Sequence, residues 1–141
     1  GGCGGSRGLV ELSSVVFRLQ TVCPWTKQQT VADMIEFARK ELVEAEEAST
    51  HFPDVNADPE VASTQKSELN AELGDVLFNV LMLVEASHRE HGTGTLDEVC
   101  DTAVAKLRRR APYAFEGGPH VSSADEASNL WQAAKRDERN A

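Results

Sequence analysis

The sequence predicts an all-α fold, a bundle of about five helices, and three observations carry that expectation. Apolar residues recur at helical spacing in successive segments. Three of those segments open on a capping pair, Thr30 with Asp33, Thr95 with Glu98 and Ser123 with Glu126. No stretch alternates apolar and polar residues convincingly enough to read as a half-buried strand.

At 141 residues the chain suits one domain with a real core. Its net charge of −9 disfavours a nucleic-acid polymer as partner, because polymer binding rests on neutralising many phosphates. A small phosphorylated ligand remains compatible. The apolar run around Leu81 to Val84 falls far short of the roughly 20 residues that a membrane span needs. Three cysteines (Cys3, Cys23, Cys100) without CxxC spacing argue against a disulfide framework or zinc ribbon and favour a reducing, cytoplasmic setting. An organelle reached after loss of a leader stays open. Residues 1–8, GGCGGSRG, read as a flexible lead, residues 9–136 as the domain, and residues 137–141 as a fraying tail.

Taken in order, Leu9, Leu12, Val15, Val16 and Leu19 form the stripe of a first helix. The segment CPWTKQQT, residues 23–30, breaks the period at Pro24 and reads as a turn. Its Trp25 either caps the core or forms a ligand lip with Lys27 facing phosphate, and both readings stand. Thr30 then starts a helix to about Ala48, with Val31, Met34, Ile35, Ala38, Leu42 and Ala45 as its stripe. Glu41 and Glu44 project at the edge of that stripe with Phe37 between them. Glu47 reads as solvated. Residues 49–58 read as a loop around Pro53, and Asp58 before Pro59 as a helix start.

The helix that follows is most secure from Glu68 to about Ser87, is apolar nearly all round, and is expected to be buried. One narrow stripe interrupts it: Glu68, Glu72, Asp75 and Asn79, flanked by Val76 and Leu83 on one side and Phe78 and Met82 on the other. Such a stripe is commonly just a wet surface. Enclosed by apolar residues, however, its carboxylates would raise one another's pKa unless a cation neutralised them. Gly74, at a cost of about 1 kcal/mol relative to Ala, is expected to permit close backbone approach. His88 and His91 have metal spacing but more simply complement the helix dipole.

A fourth helix follows Gly92 to Gly94, with Leu96, Val99, Cys100, Ala103, Val104 and Leu107 on one face and Lys106, Arg108, Arg109 and Arg110 at its end. That basic end either serves the dipole or meets a triphosphate. PYAFEGGPH reads as an irregular loop. A last helix turns Leu130, Trp131 and Ala134 inward, with Lys135 polar.

The two acid pairs, Glu41 with Glu44 and Glu72 with Asp75, each span one helical turn. Packed antiparallel, their helices would point all four carboxylates at one hard divalent cation, and Mg²⁺ suits such oxygen ligands and substrate phosphates better than zinc does. At this point the chain resembles the MazG-type nucleoside triphosphate pyrophosphohydrolases. The ExxE helix, ELGDVLFNV (residues 72–80), the preceding CPWTKQQT, the following KLRRRAPYAF (residues 106–115) and the late Trp131 with Lys135 carry the resemblance, which covers residues 9–136.

The resemblance implies an enzyme that cleaves (deoxy)nucleoside triphosphates between the α and β phosphates, giving monophosphate and pyrophosphate, in nucleotide-pool housekeeping. By position, Glu41, Glu44, Glu72 and Asp75 match the family's catalytic Mg²⁺ ligands, with Mn²⁺ a substitute. Asn79, Lys27, Arg109, Arg110 and Lys135 match substrate-binding positions, and Trp25 and Trp131 match aromatic positions near the nucleotide. It also implies a homodimer or homotetramer, and an all-round apolar helix gives the same expectation, since a partner subunit would bury it. Four positions depart from the pattern: Lys40 replaces an outer acid, Thr26 an Asp, and Ala111 and Tyr113 two histidines. These departures support an alternative, a catalytically weak or inactive module that binds nucleotide or a protein partner.

Overall fold

The computed structural model describes residues 6–52 and 56–141; the expectations at Cys3 and Pro53 lie outside them. Six α-helices occur among the described residues, with no strand: α1 (Arg7–Val22), α2 (Pro24–Gln28), α3 (Val31–Thr50), α4 (Pro59–His91), α5 (Leu96–Arg110) and α6 (Ala124–Asn140). The all-α expectation holds. The chain divides into two compact units, Gly1–Thr95 and Leu96–Ala141.

In the first unit α4 is the central rod, packed along α3 and against α1. The two acid-bearing helices run antiparallel, because the start of α3 meets the end of α4 while its later turns meet the earlier ones. The Val31 amide donates to Glu90 Oε2 at 2.7 Å, Glu41 lies beside Glu72 and Asp75, and Ala48 and His51 share a cavity with Gln65. The core is small: Val16, Met34, Leu81, Met82 and Ala86, joined by buried Thr26 and Asn79.

Helix starts follow their local chemistry. Thr30 and Asp33 form a complete capping box, and the Thr30 amide with its hydroxyl holds the Asp33 carboxyl below its usual range. Asp58 caps α4, with Pro59 at the first helical position where no amide is missed. Gly92 ends α4 in the left-handed conformation, φ +67°, that favours glycine.

Three expectations need correction, and a fourth is met in part. Residues 24–28 are a short helix rather than a turn, because Pro24 at N1 re-aims the chain without ending helicity, and Cys23 closes α1 and opens α2. Within one chain the helix expected to be buried is covered on one side only: Leu73, Leu77 and Val80 are about half exposed, and these are the residues that the expected partner subunit would bury. A Cβ at Gly74 would meet nothing within 4 Å, so close approach does not explain that glycine. The segment after α5 is partly regular, a 3₁₀ turn over Pro112–Ala114.

In the second unit α5 packs against α6 and the 3₁₀ turn. The close backbone approach lies here, at Gly118, whose Cβ would fall 1.9 Å from the Pro112 carbonyl oxygen. The helix α6 runs to Asn140, past the expected end of order.

Candidate functional site

The acids of α3 and α4 meet on the face where the two helices pack. Glu41 sits one turn beyond Phe37 on α3, and half-buried Glu72 and exposed Asp75 sit one turn apart on α4. One carboxylate oxygen from each of Glu41, Glu72 and Asp75 lies within 4.8 Å of the other two. Glu44, the fourth expected ligand, is outside this tight group but borders it, its charge acting on both Glu41 and Glu72. Burial, then the charges of Glu44 and Asp75, push the Glu41 carboxyl above its usual range. Burial, then the charge of Glu44, does the same to Glu72.

The donor set fits a hard cation. Glu41 Oε2 and Glu72 Oε2 are buried without a hydrogen-bond partner, an arrangement that is costly for a carboxylate unless a cation is bound. All donors are oxygens, and no cluster with His or Cys ligands occurs among the described residues, which suits Mg²⁺ or Mn²⁺ rather than zinc. His88 and His91 sit in the last turn of α4, His88 Nδ1 against the Thr93 carbonyl and His91 Nε2 3.6 Å from Glu90, outside the acid cluster.

Next to the acids on the α2 side stands an aromatic pair. The rings of Trp25 and Phe37 are 5.8 Å apart and tilted by 51°. Trp25 is 52% exposed, so it does not cap the core; Thr26 takes that place at 2%. The Thr26 hydroxyl also holds the Cys23 thiol below its usual range through a hydrogen bond. Lys27 is exposed at the end of α2. Lys40, the departure that replaces an acid, pairs with Glu36 at 3.8 Å and stands 5.7 Å from the Phe37 ring centre. Asn79 is buried and turned back, its Nδ2 donating to the Asp75 carbonyl at 2.7 Å, where it braces the helix turn that carries Asp75.

On the other side of the acids, a cleft of about 520 Å³ between α3 and α4 is lined by Glu44, Glu47, His51, Gln65, Glu68 and Glu72. Gln65 Oε1 is buried there without a partner.

The remaining expected site residues belong to the second unit. Arg110 Nη2 donates to Glu138 Oε2 at 2.8 Å and Arg109 Nε to Glu138 Oε1 at 3.1 Å. These two guanidinium groups pull the Glu138 carboxyl down to about 2. Arg110 lies over the Trp131 ring, 5.6 Å from its centre, and Arg108 over Phe115 at 4.5 Å. Lys135, one turn beyond Trp131, is half-buried. Sequence reasoning missed Glu138. It lies seven residues after Trp131, on the same inward face of α6, and an acid facing a basic helix end was the available signal.

Comparison with known proteins bears on this arrangement. Residues 29–115 match the family model described as the MazG nucleotide pyrophosphohydrolase domain. The chain is 30% identical over 120 residues to the nucleoside triphosphate pyrophosphohydrolase of Escherichia coli K12, covering 83% of this chain and 39% of that protein. It is 30% identical over 132 residues to the protein of the same name from Mycobacterium tuberculosis, covering 93% of this chain and 36% of that one. It thus spans well under half the length of either relative. A mazG-related protein from Thermotoga maritima, solved by crystallography, superposes with a TM-score of 0.72 at 24% identity, over 90% of this chain and 98% of that one, a likeness of fold.

Proposed function

Because the chain belongs to the MazG nucleotide pyrophosphohydrolase domain family, we propose that it is a Mg²⁺-dependent hydrolase of (deoxy)nucleoside triphosphates, releasing monophosphate and pyrophosphate. The observation that carries this reading is the convergence of Glu41, Glu72 and Asp75 with two buried, unpartnered carboxylate oxygens. The names of the relatives, nucleoside triphosphate pyrophosphohydrolases, support the reaction class.

In this reading Glu41, Glu44, Glu72 and Asp75 hold the metal. When bound, Mg²⁺ supplies Lewis acidity toward phosphoryl oxygen and makes water a better nucleophile near neutral pH. Trp25, backed by Phe37, offers a flat face to the base, and Lys27 offers an ammonium to phosphate. Arg109, Arg110 and Lys135 match further phosphate-binding positions of the family, and Trp131 a second aromatic position. Water adds at phosphorus, the bridging oxygen leaves with pyrophosphate, and cationic side chains favour the charge that builds on that leaving group. Asn79 keeps the turn of Asp75 in place. Among the described residues no helix is long and apolar enough to cross a membrane. Cys23 and Cys100 are free thiols, in keeping with the reducing, cytoplasmic setting we assign. The half-exposed apolar side of α4 supports a homo-oligomer.

The test is product analysis with a panel of purified ribo- and deoxyribonucleoside triphosphates, with Mg²⁺ and with a chelator. Monophosphate and pyrophosphate in equal amounts, only with the metal, are expected. No monophosphate from any triphosphate by folded protein would sink the proposal. A weak or inactive nucleotide-binding module is the second reading, favoured by Glu138 occupying both Arg109 and Arg110. Metal-dependent nucleotide binding without turnover would select it.

A further inference from the structure

The short helix α2 carries Trp25 and Lys27, yet five residues cannot hold a helix by themselves. Its position depends on ties to its neighbours. One is internal: Gln29, the residue that closes α2, donates from Nε2 to the Trp25 carbonyl at 2.9 Å. Thr26 seats α2 in the core and Trp25 packs on Phe37, and a further tie comes from the last turns of α4. Arg89 donates from Nη2 to the Gln29 carbonyl at 2.7 Å and from Nη1 to Gln20 Oε1 on α1. Gln20 in turn directs Nε2 to the sulfur of Met82, at 3.3 Å, and Met82 is fully buried in α4. Glu90, the next residue, accepts from the Val31 amide at the start of α3. One turn of α4 therefore grips the whole Gln29–Val31 corner.

We infer that Arg89 is a positioning residue for the nucleotide site. It fixes the end of α2 to the same rod that carries Glu72 and Asp75, and so sets where Trp25 stands relative to the acids. The inference rests on the nucleotide reading above, but the geometry is independent of it, since Trp25 packs on Phe37 one turn before Glu41. A planar guanidinium suits the task because it reaches two acceptors on two different helices at once. A lysine offers a single nitrogen in place of the two-nitrogen fork and matches this pair of acceptors less well.

The test compares Arg89→Ala and Arg89→Lys with the natural protein. In steady-state kinetics with the best triphosphate of the panel, Arg89→Ala should raise KM by about tenfold or more, the scale on which a misplaced binding group acts, while kcat falls less. Arg89→Lys should lie between. Affinity for Mn²⁺ alone, measured by calorimetry, should stay as it is, because the ligands are untouched. In a Trp131→Phe background, fluorescence anisotropy decay of Trp25 should show a larger fast component for Arg89→Ala.

Unchanged KM and unchanged anisotropy decay in folded variants would overturn the inference, as would an equal loss of Mn²⁺ affinity, which would mark a general structural role. If Arg89→Ala does not fold, Arg89→Lys decides by the same readings. The anisotropy experiment uses no substrate, so a natural protein inactive toward every triphosphate would refute the function while leaving this test in force.

Discussion

Glu72 combines two roles that conflict when no metal is bound: its Oε2 is buried without a partner, and it stands among Glu41, Glu44 and Asp75. A divalent cation relieves both problems, so binding should stabilise the fold by mass action. Chelation at neutral pH is expected to lower Tm, and added Mg²⁺ to restore it, as followed by thermal melts. Glu72→Gln should raise Tm in the absence of metal, because one of the mutually repelling charges is gone, and should abolish the gain from Mg²⁺. Asp75→Ala should cut turnover by more than the 10- to 100-fold typical of losing an outer partner of a metal site, roughly the lower bound for a direct ligand, with helix content unchanged by circular dichroism. Glu138 gives a pH signature of its own. Its folded pKa of about 2 lies below the ordinary carboxylate value of 4.5, so its pairing with Arg109 and Arg110 stabilises fully above that value and is lost as pH falls from 4.5 toward 2. The natural protein should therefore melt higher than Glu138→Gln at pH 6, and the gap between them should close across that acidic window.

At the scale of elements, what was legible in the sequence was what local chemistry dictates. Thr30 with Asp33, and Asp58 with Pro59, announce α3 and α4, and the structure starts both helices there. The facing acid pairs were readable from angular spacing, because a 3.6-residue period converts sequence distance into direction. What depended on neighbours was not readable. The break at Pro24 has the same composition whether the chain turns or begins a new helix, and the helix is marked by the Lys27 amide donating to the Cys23 carbonyl, with Thr26 buried. Which side of α4 is covered depends on where α1 and α3 lie, and the apolar residues of that helix point in nearly every direction. The Glu138 pairing joins residues 28 apart in sequence, so periodicity could put Glu138 on the inward face of α6 but not opposite Arg110. Gly74, misread from sequence, and Gly118 make a paired prediction. Gly118→Ala should destabilise by roughly 2 kcal/mol or more, since its Cβ would collide with the Pro112 carbonyl. Gly74→Ala should stabilise by about 0.5–1 kcal/mol, having open space and a helical backbone. Denaturant titration of both variants measures the contrast.

For the whole molecule, the distribution of apolar surface is the leading fact. Phe17 and Val10 on α1 are about two-thirds exposed, and Leu73, Leu77 and Val80 on α4 about half. Surface of this kind on two neighbouring helices is what a second copy of the chain would bury. Sedimentation equilibrium is expected to give a dimer or tetramer, and Leu73→Glu with Leu77→Glu to shift it toward monomer at the same concentration. A monomer at every concentration for the natural protein would count against assembly. The two sides of α4 also set what kinds of sequence change the molecule can absorb. Glu72, Asp75 and Asn79 lie on one side, and Leu73, Leu77 and Val80 on another, interleaved along the same two turns. Substitution at one set leaves the other in register. Insertion or deletion of a single residue between them rotates everything downstream by about 100°, so it parts Glu72 from Asp75 and splits the apolar seam in the same event. Over these turns the helix can change its letters but not its length.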